Sequence, residues 1–319
     1  MRRALSFLIK FALSAVLLYL ALNWVNVGTV ARRLSDIDLR WIAAALLTIL
    51  VQNFLLSRRW QMIIGRCGAD LSLSQVFRFT MVGLFFNQTL PSSVGGDAMR
   101  IWLAGKETNW RIASYSVIVD RAIGVVVLAL LVTLCLPWTL DLVHNPVGRA
   151  ALLSIGFGFI AGGVVFVSLA WNRLSFLQRW ATTRHLAATA AVAAGIIRSP
   201  PVAMRVFALS FAIHSLTALV AVCAARSIGA ELSLLYAFFL VLPVILIAVV
   251  PISISGWGIR ENAMIAAFGY VGLSPNDGLL VSLLQGASYL VAGVIGGLIW
   301  AFMSKPLDRS VASLADGSG

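Results

Sequence analysis

Two stretches of this chain combine residue types that hold anions within apolar surroundings: Pro91-Ser92-Ser93-Val94-Gly95-Gly96-Asp97-Ala98-Met99-Arg100 and Pro251-Ile252-Ser253-Ile254-Ser255-Gly256-Trp257-Gly258-Ile259-Arg260. A proline ends a helix because it lacks an N–H donor and its ring clashes backwards. Ser92 or Ser93 can cap the helix that follows, and Gly95 and Gly96 allow a tight turn and close backbone approach. That helix then starts with N–H groups that have no partner within it, at the positive end of its dipole, which is an anion-binding arrangement. The stretch from Pro251 through Gly256 to Gly258 repeats the pattern.

Charges collect beside both breaks. Asp97 and Arg100 are three residues apart on one helical face, and Arg260-Glu261 follows the second break. Asp120-Arg121 lies two turns into an apolar run, about 12 Å from its start at about 1.5 Å per residue. Neighbours in sequence point to different sides of a helix, so Asp120 and Arg121 need outside partners, and Arg100 and Asp97 are the candidates. Ionisable side chains within a membrane are costly and mark function by default. Two readings stand side by side: the charges bind a substrate, or they lock the broken helices to the bundle. Asn87, one turn before Pro91, can satisfy the broken backbone or contact a substrate.

Other chemistries lack their residues. There is no GxxxxGK[ST] loop for ATP, and neither HExxH nor GxSxG occurs. Cys67, Cys135 and Cys223 are scattered without metal-ligand spacing and read as small hydrophobes. His144, His185 and His214 form no ligand set. The expectation is a protein without metal or cofactor, and a transporter rather than an enzyme.

The elements that carry these residues follow from composition. Of 319 residues, 60% are hydrophobic and 11% charged, and the mean hydropathy is +0.95. Soluble domains carry about 25% charged residues, so the class is an all-α polytopic membrane protein. The net charge of +12 comes mainly from arginines placed between apolar runs, where they face anionic lipid and cytoplasm rather than nucleic acid. Six runs are long enough to span: 5–22, 41–57, 112–136, 151–170, 205–225 and 280–303. Stretches 72–98 and 234–272 are broken by Pro, Ser and Gly and read as re-entrant hairpins, because non-helical backbone survives at membrane depth only inside protein or beside water. Arg2, Arg3 and Lys10 place the N-terminus in the cytoplasm by the positive-inside rule. Asn23-Trp24-Val25-Asn26 is a poor cleavage site, so the first span reads as uncleaved. Six crossings bring the C-terminus, with Lys305 and Arg309 and a flexible tail over 306–319, to the same side, as in a bacterial inner membrane. Stretch 171–205, with five arginines, reads as the longest polar segment, and 171–200 as an inserted interfacial helix. Gly158/Gly162 and Gly293/Gly297 have GxxxG spacing for close helix packing. Trp24, Trp41, Trp110, Trp138 and Trp171 lie near span ends and read as interface anchors.

At an offset of 160 the two broken stretches coincide at four positions of ten, Pro, Ser, Gly and Arg. The spans superpose under the same shift, so the single membrane domain reads as two repeats, 1–150 and 151–305. Each repeat has three crossings, an odd number, which turns the second copy upside down, as in many secondary transporters.

Phe85-Phe86-Asn87-Gln88-Thr89-Leu90-Pro91 continuing to Arg100 resembles the hallmark motif of the lysylphosphatidylglycerol synthase transmembrane-region, or flippase-like domain, family. Arg59-Trp60, Ser116 through Asp120-Arg121 with Gly124, and Pro251 through Arg260-Glu261 agree with it, over about residues 5 to 303. Asp120 departs from the family's usual Glu and keeps the charge. The resemblance implies handling of polar lipids across a bilayer, with an anionic headgroup as the partner. In the large multiple-peptide-resistance enzymes this region flips aminoacylated phosphatidylglycerol made by a separate soluble domain. No counterpart of that domain is expected here, so synthase activity is not carried over. Members also associate with hopanoid lipids and glycosylated lipid carriers. The site expected on these grounds comprises Asn87, Ser93, Gly95, Gly96, Asp97, Arg100, Asp120, Arg121, Gly256, Arg260 and Glu261. The rival readings are a membrane-embedded lipid-modifying enzyme, with Asp97 or Glu261 as general base, and an accessory subunit of a lipid or glycolipid pathway.

Overall fold

The structure, a computed structural model, describes residues 33, 35–89, 94–168, 181–249 and 258–303. Ten helices make up nearly all of it: α1 Leu39–Arg66, α2 Leu73–Thr89, α3 Gly95–Glu107, α4 Trp110–Leu142, α5 Pro146–Ser168, α6 Ala181–Ile197, α7 Pro200–Ser227, α8 Leu234–Ala248, α9 Ile259–Gly269 and α10 Pro275–Met303. No strand occurs among the described residues. Helix α1 starts where the Asp38 carboxylate accepts the Arg40 N–H (2.9 Å), and α4 where the Asn109 side chain accepts from Arg111 and Ile112. Helices α5, α7 and α10 open on proline, whose missing donor costs nothing at that position.

Five helices, α1, α4, α5, α7 and α10, are long and apolar enough to cross a membrane. They coincide with five of the six spans read from hydropathy, and this is a multi-pass membrane protein. The expected span 5–22 and the tail 306–319 lie outside the described residues.

Antiparallel α1 and α7 form the centre. The Asp38 N–H donates to the Ser227 carbonyl (2.9 Å) at one end of the pair. Arg66 reaches the Ser199 hydroxyl at the other. At the Arg66 end, Trp60 and Ile64 of α1, Val76 of α2, Leu103 and Ala104 of α3 and Ala113 of α4 share one apolar cluster. Helices α2 and α3 therefore go in and come back from that end, with their tip, 90–93, outside the described residues. At the Asp38 end, Ala225 of α7, Ala237 of α8, Phe268 of α9 and Val281 of α10 share a second cluster. Helices α8 and α9 go in and come back from there. Two hairpins thus enter the bundle from opposite ends.

The packing partners of the two halves exchange cleanly. Helix α2 packs on α1 as α8 packs on α7, and α3 on α4 as α9 on α10. Both α4 and α10 touch both central helices, and each hairpin's first helix also lies on the long helix of the other half.

Two expectations need correction. The stretch read as the longest polar segment contains α6, which buries Ala190, Ala193, Ala194 and Ile196. His185 near its start bonds Tyr115 (2.6 Å), and Ser199 just beyond its end meets Arg66, so α6 lies across the Arg66 end without crossing. These small side chains face the bundle. The second correction concerns the GxxxG pairs. Gly293 and Gly297 lie against Phe85 of α2, and a Cβ on Gly296 between them would overlap the Met81 carbonyl, so this face packs closely. Gly158 and Gly162 have nothing within 4 Å among the described residues. That pair packs no helix there.

Candidate functional site

Helix α3 begins where α2 can be approached backbone to backbone. A Cβ on Gly96 would overlap the Gly83 carbonyl, and the Gly96 N–H donates to the Asn87 side-chain oxygen at 2.9 Å. Asn87 thus satisfies the break, while no side chain caps α3 at Val94. The arrangement aims the start of α3 into the bundle and delivers Asp97 and Arg100 to α1 and α4.

There they join an alternating chain of charge. Arg59 Nε donates to Asp120 Oδ1 at 2.8 Å, and Arg100 donates to Asp120 Oδ2 at 2.8 Å and to Asp97 Oδ1 at 3.2 Å. Arg121 closes the row on Asp97 Oδ2. Arg59 also donates to the Ser210 hydroxyl (2.9 Å) and the Asp120 carbonyl (3.3 Å). The Arg100 guanidinium lies 4.1 Å above the buried Trp60 ring, whose N–H donates to Ser116 at 3.1 Å. Asp120 and Arg121 therefore take the outside partners that their adjacency on α4 demands. Four members are buried, whereas the Arg121 side chain stays 40% exposed. Among the described residues the row holds three guanidiniums and two carboxylates, and its exposed end is a cation.

The second hairpin has a smaller site. Glu261, wholly buried at the third position of α9, accepts the Gly258 N–H (2.6 Å), the Ser282 hydroxyl (3.0 Å) and Arg260 (2.9 Å). Gly258 takes φ +84°, a conformation side chains disfavour, so the start of α9 requires glycine there. Arg260 also donates to Ser282 (2.9 Å) and runs against Gly286 of α10, where a Cβ would collide with its guanidinium. Ser93 and Gly256 lie outside the described residues. Asn87, Gly96, Asp97, Arg100, Asp120 and Arg121 gather in one place, with Gly95 beside them on α3. Arg260 and Glu261 form a separate place on the other hairpin.

Between the two places runs a polar seam that sequence reasoning missed. Gln52 donates to the Thr217 hydroxyl (2.7 Å) and accepts from the Tyr289 hydroxyl (2.8 Å). His214 donates to the Gly124 carbonyl (3.0 Å), a turn away from both Ser210 and Thr217 on α7. Gln285 is buried on α10 between Ser282 and Tyr289, and neither end of its amide finds a partner among the described residues. An unsatisfied amide in an apolar interior costs several kcal/mol, so it calls for water or a ligand. The signal available in sequence was the polar residue every seventh position, Gln52 and Arg59 on α1 and Ser210 and Thr217 on α7. Among the described residues no group of His, Cys, Asp and Glu could hold a metal.

Cys67 closes α1 at the Arg66 end, outside the span, and burial pushes its thiol up to about 11. Only the thiolate reacts with maleimides. Its labelling at pH 7 should be on the order of a hundredfold slower than for an ordinary cysteine, given a normal value near 8.5. The rate should climb about tenfold per pH unit towards pH 11. A rate at pH 7 equal to that of an exposed cysteine would contradict this environment.

The converging motifs agree with what comparison finds. The model of the family described as lysylphosphatidylglycerol synthase TM region matches residues 7–297. A UPF0104 membrane protein of Pyrococcus horikoshii is 23% identical over 192 residues, which cover 58% of this chain and 54% of that protein. The chain thus spans about half the length of this curated relative. No solved structure matches it.

Proposed function

This chain belongs to the lysylphosphatidylglycerol synthase TM region family, a membrane domain of lipid-related proteins, and from that premise we propose that it carries the polar headgroup of an anionic lipid across the bilayer. The observation behind this reading is the row of five alternating charges that ends on the half-exposed Arg121, three guanidiniums against two carboxylates among the described residues. A phosphate is the natural complement to such an end, since guanidinium–phosphate pairs are strong and directional. Two hairpins enter from opposite ends, the second carrying the smaller Arg260–Glu261 pair, and the seam of Gln52, His214, Thr217, Gln285 and Tyr289 supplies polar groups between them. In this mechanism the halves are inverted repeats, and their alternate opening exposes Arg121 to one face and Arg260 to the other. Asp97, Asp120 and Glu261 hold the arginines when no headgroup is present and compete for them at release. The membrane is a bacterial inner membrane, with the Arg66 end towards the cytoplasm, because Arg58, Arg66, Lys106 and Arg111 collect there. The chain acts as a transporter and makes no covalent change in its cargo.

Reconstitution in liposomes with fluorescent phosphatidylglycerol tests the proposal. Wild type should translocate the headgroup, and Arg121→Gln should do so roughly tenfold to hundredfold more slowly, the worth of one charge-assisted hydrogen bond of about 1.5–3 kcal/mol. Arg260→Gln should slow it as well. Equal rates in all three, or no translocation by the wild type, would refute the roles assigned.

A further inference from the structure

Gly162, against which no described helix packs, lines a groove on the side of the bundle. Helices α4 and α5 enclose a lateral groove of about 350 Å3 lined by Ile118, Arg121, Val125, Phe159, Gly162 and Phe166. It continues under α6 into a wholly apolar recess of about 250 Å3 that shares Ala122, Val126, Gly163 and Phe166 with it. The groove owes its depth to glycine: Gly162 has no described atom within 4 Å of where its Cβ would sit, while Gly163 meets Val126 and holds the two helices together.

Its single charged group sits far from either interface. Trp110 and Trp138, both exposed, mark the ends of the membrane-embedded part of α4. Arg121 lies eleven residues from the first and seventeen from the second, within about 5 Å of halfway at about 1.5 Å per residue. A half-exposed guanidinium at that depth is costly in hydrocarbon. Asp97 pairs with this guanidinium from the protein interior, and the exposed side of Arg121 lines the groove.

We propose that this groove is the lateral port for a diacyl phospholipid in transit, with an acyl chain in the α4–α5 slot and the anionic phosphate on Arg121. The proposal rests on the transport reading above and adds the place where cargo leaves the bilayer. An apolar slot ending on one cation at mid-membrane fits a molecule that is apolar along its length and anionic at its end. A soluble anion has no use for the slot, and a neutral lipid none for the arginine.

Native mass spectrometry of purified protein with added palmitoyl-oleoyl phosphatidylglycerol or phosphatidylcholine tests it, beside translocation of the same lipids in liposomes. Wild type should retain phosphatidylglycerol in preference to phosphatidylcholine. Gly162→Leu, which fills the slot without displacing a neighbour, should weaken retention at least tenfold with an unchanged melting temperature. Arg121→Gln should abolish the preference between the two headgroups. Gly195→Leu, at an equally open glycine outside the groove, should bind as wild type does. Retention unaffected by Gly162→Leu, or lost equally in Gly195→Leu, means annular lipid only and overturns the proposal. Selective retention without translocation leaves the port standing and refutes the transport reading, whereas translocation undiminished in Gly162→Leu does the reverse.

Discussion

Asp120→Asn should cost this protein about 3–5 kcal/mol and leave little of it monodisperse after extraction in mild detergent. One carboxylate 1% exposed holds two guanidiniums through separate oxygens, Arg59 and Arg100, each itself almost fully buried. A buried ion pair adds little net stability when formed, because desolvation offsets attraction, but removing one partner strands the other charge. Here the substitution leaves Arg59 with no carboxylate and Arg100 with Asp97 alone. The amide also points N–H groups at one of the arginines in place of an acceptor. Melting temperature followed by size-exclusion chromatography reads the effect, and Asp120→Glu, which keeps the charge, should retain most of the fold. A melting temperature for Asp120→Asn within a degree or two of wild type would show that the carboxylate carries no such burden.

The second large effect is expected where no charge is involved. Gly296→Ala should destabilise by at least the 1–3 kcal/mol typical of overpacking, because the obstacle is the Met81 carbonyl on α2 rather than a side chain able to rotate away. Helix propensity alone predicts the opposite sign, since alanine gains about 1 kcal/mol over glycine in a helix interior. Gly162→Ala isolates that term, for nothing described lies within 4 Å of it, and it should be neutral or slightly stabilising. Both changes add the same methyl to an apolar helix. Similar melting temperatures for the two would refute the close approach of α10 to α2.

These two positions also show which parts of the molecule sequence reasoning could reach. The long helices were legible because about twenty apolar residues in a row leave few alternatives to a span. The hairpins were legible because proline and paired glycine interrupt such runs, and the partners of Asp120 and Arg121 followed from helix geometry. Arg59 was not. The expected span stopped at 57, where arginines begin to look like a cytoplasmic edge, yet α1 runs on to Arg66. Hydropathy cannot register that an arginine has been neutralised by a carboxylate sixty-one residues later. The glycine pairs failed for a related reason. GxxxG reports a smooth helix face and is silent on whether a partner fills it. At 293 and 297 α2 does, and at 158 and 162 no described helix does. The mutual packing of α2 with α10 and α8 with α4 had no sequence signal, since it joins elements from different halves.

Helix α4 carries one more consequence. Its tryptophans stand twenty-eight residues apart, about 42 Å along a straight axis, close to the full thickness of a typical bilayer with its headgroup layers, about 40–45 Å. The protein therefore acts as a ruler. In short-chain lipids α4 would have to tilt or the membrane swell around it, and the mismatch costs fractions of a kcal/mol for each ångström. Tilting about the packed centre would carry Arg121 off the bilayer midplane without altering a single residue. Acyl-chain length becomes a graded control on the position of that charge, and turnover should peak in lipids whose thickness the tryptophans match.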